Sequence, residues 1–235
     1  MMYPFLLLCG AAVLVLYIRE KIRAFSVRAL VLKSVVSALF IAVGIHGAYA
    51  AGVRGAMTRM HPFVLMGLLS GLLGDIWLDL KYVFPEKNRS FTLAGFSAFG
   101  IGHVFYMTGM LLRYFPSGRP MFAVLPFVLG AAASAANAAL EKPMKLNFGE
   151  MRKPVILYGF LLFSMLFLAG GLALAGGWRE TPLTLMFAGG VLFAVSDLIL
   201  SGTYFGTGRG RPVDLASNYL TYYAGQFLIA SALVF

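Results

Sequence analysis

The chain has 235 residues, of which 60% are hydrophobic and 12% charged, and its mean hydropathy is +0.84. Soluble domains carry about a quarter charged residues, so this composition excludes an ordinary soluble protein and indicates a membrane protein. The formal net charge of +10 does not predict a nucleic-acid partner, because no polar segment carries a basic stripe with interleaved aromatic residues. Cys9 is the single cysteine, which excludes a disulfide framework and a thiolate metal cluster.

Apolar runs follow one another along the chain, each about as long as the 17–25 residues of a membrane-spanning helix. They are predicted at residues 1–18, 29–50, 62–84, 92–112, 121–140, 155–175, 183–204 and 213–235. The first run lacks a basic segment before it and is interpreted as a retained anchor, not a cleaved signal peptide. No polar segment is long enough for a soluble domain. The sequence therefore predicts one all-α domain over residues 1–235, a polytopic membrane bundle of eight transmembrane helices.

Basic residues distinguish the two sides of this bundle. Taken together, the first, third, fifth and seventh gaps carry more lysines and arginines than the other gaps taken together, when the adjoining helix ends are counted with them. The positive-inside rule then makes the odd-numbered gaps cytoplasmic. Both termini are expected outside the cytoplasm, in an inner or plasma membrane whose anionic lipid meets the basic residues.

Two aspartates lie well inside apolar runs, Asp75 in the third and Asp197 in the seventh. A carboxylate in the bilayer costs at least a few kcal/mol on insertion scales, so it is rare without a partner or a function. The rise of ~1.5 Å per helical residue places both in the cytoplasmic half, where we expect them to face each other. The alternative is a structural ion pair with Lys33 of the second run. Two acids and one lysine would still leave one carboxyl group able to hold a proton.

Further polar residues fall in the same layer. His103, near the middle of the fourth run, is a candidate proton shuttle, hydrogen-bond orienter or packed neutral imidazole, and Tyr106 lies one turn further on. Tyr222, Tyr223 and Gln226 lie in the eighth run, and Gln226 is deep enough that it must hydrogen-bond inside the bundle. A metal site is the less favoured interpretation, because the three histidines show no helical pairing with His or Glu. An Asp/His site assembled across helices stays open.

The third run carries two other features. Asp79 follows Asp75 by one helical turn on the same face, and it is either part of the polar centre or an interfacial charge near Lys81. Gly67 and Gly71, four residues apart, predict close packing of this helix on a neighbour.

Several blocks of the sequence together resemble the YhhN-like lysoplasmalogenases, a family of small eight-helix membrane proteins. The blocks are Lys33, Gly74-Asp75-x-x-Leu78, Phe91-x-x-x-Gly95-x-x-x-Phe99-x-x-x-His103-x-x-Tyr106, Phe193-x-x-Ser196-Asp197-x-x-Leu200 and Tyr223-x-x-Gln226. They cover most of the chain and occur in the family's order.

The resemblance implies hydrolysis of the vinyl-ether bond of a lysoplasmalogen, a lysophospholipid, to a fatty aldehyde and glycerophosphoethanolamine or glycerophosphocholine. Vinyl-ether hydrolysis requires a protonated carboxyl group as general acid and a second carboxylate that stabilises the cation and activates water. The catalytic candidates are Asp75, favoured as proton donor because it is deeper, and Asp197. No cofactor is expected. Supporting or substrate-binding roles are expected for Lys33, Asp79, His103, Tyr106, Tyr222, Tyr223 and Gln226.

A function of another class stays open beside the hydrolase. A proton-coupled transporter of lipid or of another small molecule would use the two buried aspartates as a proton relay. Composition does not separate it from a hydrolase, and the sequence does not determine the oligomeric state.

Overall fold

The computed structural model describes residues 2–115, 119–206 and 210–235, and in these ranges it contains eight α-helices and no named strand. The helices are α1 (Met2–Arg23), α2 (Val27–Val53), α3 (Met60–Val83), α4 (Asn88–Tyr114), α5 (Leu125–Ala139), α6 (Arg152–Ala175), α7 (Thr181–Phe205) and α8 (Pro212–Ser231). Met1, the start of the first predicted run, and Arg209, a basic residue of the seventh gap, lie outside the described residues.

Each predicted apolar run overlaps one of these helices over most of its length, so the all-α bundle is confirmed. Seven of the helices in the described ranges are long and apolar enough to cross a membrane, which indicates an integral membrane protein. The helix outside this set is α8. Its sequence mixes apolar residues with the buried polar side chains of Asn218, Tyr222 and Gln226, which lower its hydropathy.

The helices form a ring around a central cavity. Extensive contacts join α3 to α4, α5 to α6 and α7 to α8, and further contacts join α2 to α3 and α8, and α6 to α4 and α7. The ring therefore consists of α2, α3, α4, α6, α7 and α8. Helix α1 packs on α2 and α8, and α5 packs on α6. The cavity lies between helices from both halves of the chain, so residues distant in sequence meet there.

The connection between α5 and α6 covers one end of this ring. Leu146 forms an isolated antiparallel bridge with Gly206, and the backbone N–H of Asn147 donates to the carbonyl oxygen of Phe205 at 2.8 Å. Phe148 packs edge-on against Phe205, with ring centroids 5.0 Å apart. Because Phe205 also lines the central cavity, this connection covers the cavity where α7 ends.

The close packing predicted along α3 is confirmed. A Cβ atom added at Gly71 would lie 2.8 Å from Nε2 of Gln226, and Gly67 faces the ring of Tyr106. The missing side chains on α3 therefore make the space in which two polar residues of α4 and α8 meet the helix.

The contact between α7 and α8 gives a test of the bundle's packing. A Cβ atom added at Gly189 would lie 2.7 Å from the backbone oxygen of Gly225, which a rotamer change cannot relieve. We expect Gly189→Ala to destabilise the protein by about 1–3 kcal/mol, as overpacking does. Thermal unfolding in detergent measures the change.

The matched control is Gly52→Ala, since Gly52 also lies in a helix but has no atom within 4 Å of an added Cβ. Its melting temperature should equal or slightly exceed that of the wild type, because alanine favours the helix. Equal melting temperatures for the two variants would contradict the close α7–α8 packing.

Candidate functional site

A cluster of four charged side chains joins α1, α2 and α3 inside the bundle. Nζ of Lys21 lies 2.9 Å from Oδ1 of Asp79, and Nζ of Lys33 lies 3.3 Å from the same oxygen. Lys33 also lies 3.3 Å from Oδ1 of Asp75. All four side chains are at least 90% buried. Two lysines and two aspartates thus balance their charges, which offsets part of the cost of removing them from water.

The interpretation of Asp79 as an interfacial charge near Lys81 is wrong. Asp79 is 3% exposed and pairs with two lysines from other helices. Lys81 itself lies over the ring of Tyr204, with Nζ 3.1 Å from the ring centroid. Asp79 instead belongs to the polar centre, the other alternative, because it shares a helix face with Asp75 and that face points into the bundle.

The carboxyl group of Asp75 is held on both oxygens. Oδ1 pairs with Lys33, while Oδ2 accepts hydrogen bonds from Ser37 Oγ at 2.6 Å and from the Tyr222 hydroxyl at 2.8 Å. The hydroxyl of Tyr223 lies 3.3 Å from Ser37 Oγ. The predicted ion pair of Asp75 with Lys33 is therefore present. The ammonium group and the two hydroxyl donors thus occupy both oxygens of the Asp75 carboxyl group.

A chain of hydrogen bonds extends from Asp75 through the middle of the bundle. Gln226 Nε2 donates to the hydroxyl of Tyr222 at 3.2 Å, and the hydroxyl of Tyr106 donates to Gln226 Oε1 at 3.2 Å. The hydrogen bond expected of Gln226 inside the bundle is confirmed. These contacts fix the hydroxyl of Tyr222 beside Asp75 and give the buried side chains of Tyr106 and Gln226 hydrogen-bond partners.

Asp197 has different surroundings. Its Oδ2 accepts a short hydrogen bond from the hydroxyl of Tyr158 on α6, and its side chain is partly exposed. Nearby, Asn218 Nδ2 donates to the backbone oxygen of Ser196 at 2.7 Å, which joins α8 to α7. In the described part of the chain, no lysine or arginine forms an ion pair with Asp197. Lys33, the cation proposed to pair with these acids in one sequence interpretation, pairs with Asp75 and with Asp79.

Both aspartates line the same cavity between α3 and α7, although no hydrogen bond joins their carboxyl groups among the described residues. The cavity has a volume of about 70 Å³. Since one water needs roughly 10–15 Å³ on this measure, several waters fit. Tyr158, Asn218 and Tyr222 also line it, and the remaining wall is mostly apolar.

His103 is buried beside the cavity, but its ring nitrogens have no hydrogen-bond partner among the described residues. Aromatic rings surround it, with centroids 5.0 Å away for Phe193, 5.8 Å for Tyr158 and 6.1 Å for Tyr106. Of the three interpretations, these contacts favour a packed imidazole.

Three residues of the site were not identified from the sequence. Lys21 was counted with the basic residues that set topology, Tyr158 was one aromatic residue in an apolar run, and Ser37 carried no spacing signal. Only Lys21 offered a signal: it is a second lysine close to the short gap between the first two runs, in a chain with two acids on one face of α3.

The site has the components of acid–base chemistry, with one carboxyl group paired to a cation and one without, in a cavity that admits water. For the described residues, no group of three or more His, Cys, Asp and Glu side chains is arranged to hold a metal ion.

Fold and site together define a helical membrane protein whose central cavity is lined by an aspartate paired with a lysine and by a second aspartate that has no ion pair among the described residues. The chain matches the model of the YhhN family over residues 28–233 and belongs to that family. The resemblance seen in the sequence is thereby confirmed. No curated protein and no solved structure gave a match.

The pairing of Lys21 with Asp79 can be tested by a double-mutant cycle. Asp79→Asn leaves Lys21 buried without its partner and should cost about 3–5 kcal/mol of stability, as breaking a buried pair does. The Lys21→Met/Asp79→Asn double variant should recover much of that loss, because the Lys33–Asp75 pair remains. Denaturant unfolding in detergent gives the coupling free energy. Strictly additive losses would show that the pair contributes no stability.

Proposed function

We propose that this protein is a lysoplasmalogenase that hydrolyses the vinyl-ether bond of lysoplasmalogens. The products are a fatty aldehyde and glycerophosphoethanolamine or glycerophosphocholine. The observation that carries the proposal is the placement of Asp75 and Asp197 in one cavity, with a lysine beside the first and, among the described residues, none paired with the second. Membership of the YhhN family supports it.

The proposed reaction begins with proton transfer to carbon. A neutral carboxyl group donates its proton to the β-carbon of the vinyl ether, which leaves an oxocarbenium ion and a carboxylate. A water molecule adds to the cation and gives its proton to that carboxylate, which forms a hemiacetal. The hemiacetal hydroxyl loses a proton as the glycerol oxygen gains one and leaves, so one water is consumed overall. Glycosidases stabilise a similar cation with two carboxyl groups.

We assign the proton donor to Asp197, which reverses the preference drawn from sequence depth. Asp75 has a lysine and two hydroxyl donors, so it suits the role of the permanent carboxylate that stabilises the cation. No lysine or arginine of the described residues pairs with Asp197, and Tyr158 donates to Oδ2, so we assign the proton to Oδ1.

The surrounding residues have supporting roles in this proposal. Tyr222 orients Asp75, and Gln226 and Tyr106 hold Tyr222 in place. Tyr158 orients Asp197, and His103 packs against Tyr158.

We further propose that α8 is an eighth membrane span. Its polar residues, such as Asn218, Tyr222 and Gln226, are buried inside the bundle, where a spanning helix can carry them. An even number of spans places both termini on one side. The distribution of basic residues then puts both termini outside the cytoplasm, and the α5–α6 connection on the cytoplasmic side.

A reporter fused after Phe235 tests this topology. A fluorescent protein that matures only in the cytoplasm should stay dark there, and the same reporter inserted after Lys142, in the α5–α6 connection, should be bright. A bright fusion at Phe235 would contradict the proposed orientation, or the crossing by α8.

Substitution of the two acids tests the chemistry. Asparagine is nearly isosteric with aspartate, so Asp75→Asn and Asp197→Asn should fold and yet release almost no aldehyde from lysoplasmalogen. The double variant should be scarcely slower than either single variant, because residues acting as a unit are strongly non-additive. The wild-type kcat/KM should have a bell-shaped pH profile, since one acid must be protonated and the other ionised.

Asp214→Asn is the matched control, because this aspartate lies in the first turn of α8 and pairs with Arg211 outside the cavity. It should turn over at the wild-type rate. Aldehyde release by folded Asp75→Asn or Asp197→Asn near that rate would contradict the mechanism. Proton-driven flux in sealed vesicles, without aldehyde from any vinyl-ether lipid, would favour the transporter instead.

A further inference from the structure

An apolar groove runs along the outside of the bundle between α4 and α6. It has a volume of about 780 Å³, which lies in the range of small-molecule sites. Its wall includes Gly100, Ile101 and Val104 of α4 and Leu157 and Leu161 of α6. Ile101, Val104 and Leu157 are 45–62% exposed, so the groove opens towards the hydrocarbon of the membrane.

The groove adjoins the central cavity. Phe96 and Tyr158 line both spaces, and their rings stack with centroids 5.4 Å apart and planes 12° apart. This stacked pair therefore forms the partition between groove and cavity. The hydroxyl of Tyr158 donates to Asp197, so the groove ends within one side chain of the proposed proton donor.

The two ends of the groove differ in polarity. Lys153, the second residue of α6, lines one end and is exposed, and Tyr158 lies roughly 8 Å further along the helix by its rise per residue. Val104 lies about 12 Å beyond Phe96 along α4, in the apolar half. From the start of α4 and α6 inwards, the groove therefore presents the cation of Lys153, then the Phe96–Tyr158 partition, and then a long apolar channel.

We propose that this groove holds the hydrocarbon chain of the lysolipid, which enters sideways from the bilayer. The phosphodiester then meets Lys153, the vinyl ether lies at the partition beside Tyr158 and Asp197, and the chain follows α4 past Val104. The inference rests on the proposed function. A single-chain lipid is the occupant because the groove offers one cation and one apolar channel. Their order along the groove matches the order of phosphate, ether and chain in the lipid.

Chain-length selectivity tests the proposal. Val104→Trp fills the distal half of the groove and leaves the partition untouched. The ratio of kcat/KM for an octadecenyl lysoplasmalogen to that for an octenyl analogue should fall by about 10-fold or more, the size of a pocket discrimination. Turnover of the octenyl substrate shows that the variant is folded.

The control is Ile45→Trp, which adds the same ring to an exposed position on α2, away from the groove and at a similar distance from the start of its helix. Its chain-length ratio should equal that of the wild type. If Val104→Trp kept the wild-type ratio of kcat/KM for the long and short substrates, the proposal would be overturned.

A binding measurement separates the groove from catalysis. An uncleavable alkyl-ether lysophospholipid with a diazirine at its chain end should label peptides of α4 and α6 in the wild type. Unlabelled alkyl lysolipid should compete, and Val104→Trp should lose the label even if it turns over neither substrate. Labelling spread over all exposed helices, or competed equally by diacyl phospholipid, means bulk lipid only and overturns the inference.

These outcomes are distinct from failure of the proposed function. Absence of aldehyde from wild-type protein with either chain length would refute the hydrolase, whereas the cross-linking pattern would still decide whether the groove binds a single-chain lipid.

Discussion

The pairing of buried charges is the constraint on which the rest of the site depends. An apolar bundle tolerates Asp75 and Asp79 only because Lys33 and Lys21 reach them from neighbouring helices. The bridges tie α1 and α2 to α3, and Lys33 contacts both acids. Once these four charges are balanced, Asp197 remains as the cavity acid with which no lysine pairs in the described part of the chain. The asymmetry between the two cavity acids is thus a consequence of how charge is distributed among the first three helices.

That difference between the two aspartates suits the cavity to acid–base chemistry. In the proposed mechanism the lysine beside Asp75 leaves the proton to Asp197, whereas two carboxyl groups with equal surroundings would compete for it. Aromatic residues provide most of the remaining architecture. Tyr222 holds one acid and Tyr158 the other, and the ring of Tyr158 also separates the cavity from the membrane-facing groove. One side chain therefore links the proposed acid to the route by which an apolar substrate would arrive.

The sequence predicted the bundle well, because a run of apolar residues of bilayer length has few structural alternatives. It also identified Asp75, Asp197, Tyr222 and Gln226, since polar groups at that depth must find partners in the bundle. It did not identify the partners themselves. A lysine at a helix end, such as Lys21, looks the same whether it sets topology or turns inward, and Tyr158 is recognisable only once α6 is packed beside α7. These contacts depend on helix rotation, which periodicity weakly determines in helices that are apolar on all sides.

The central claim is that a carboxyl group protonates the β-carbon of a vinyl ether. Hydrolysis of a lysoplasmalogen by purified protein in D₂O, with immediate reduction of the aldehyde, tests it directly. The account predicts one deuterium on the carbon adjacent to the aldehyde carbon, and an aldehyde added to the same mixture should gain none before reduction. Aldehyde that carries only protium at that carbon would contradict the mechanism, because cleavage would then have occurred without proton transfer to carbon.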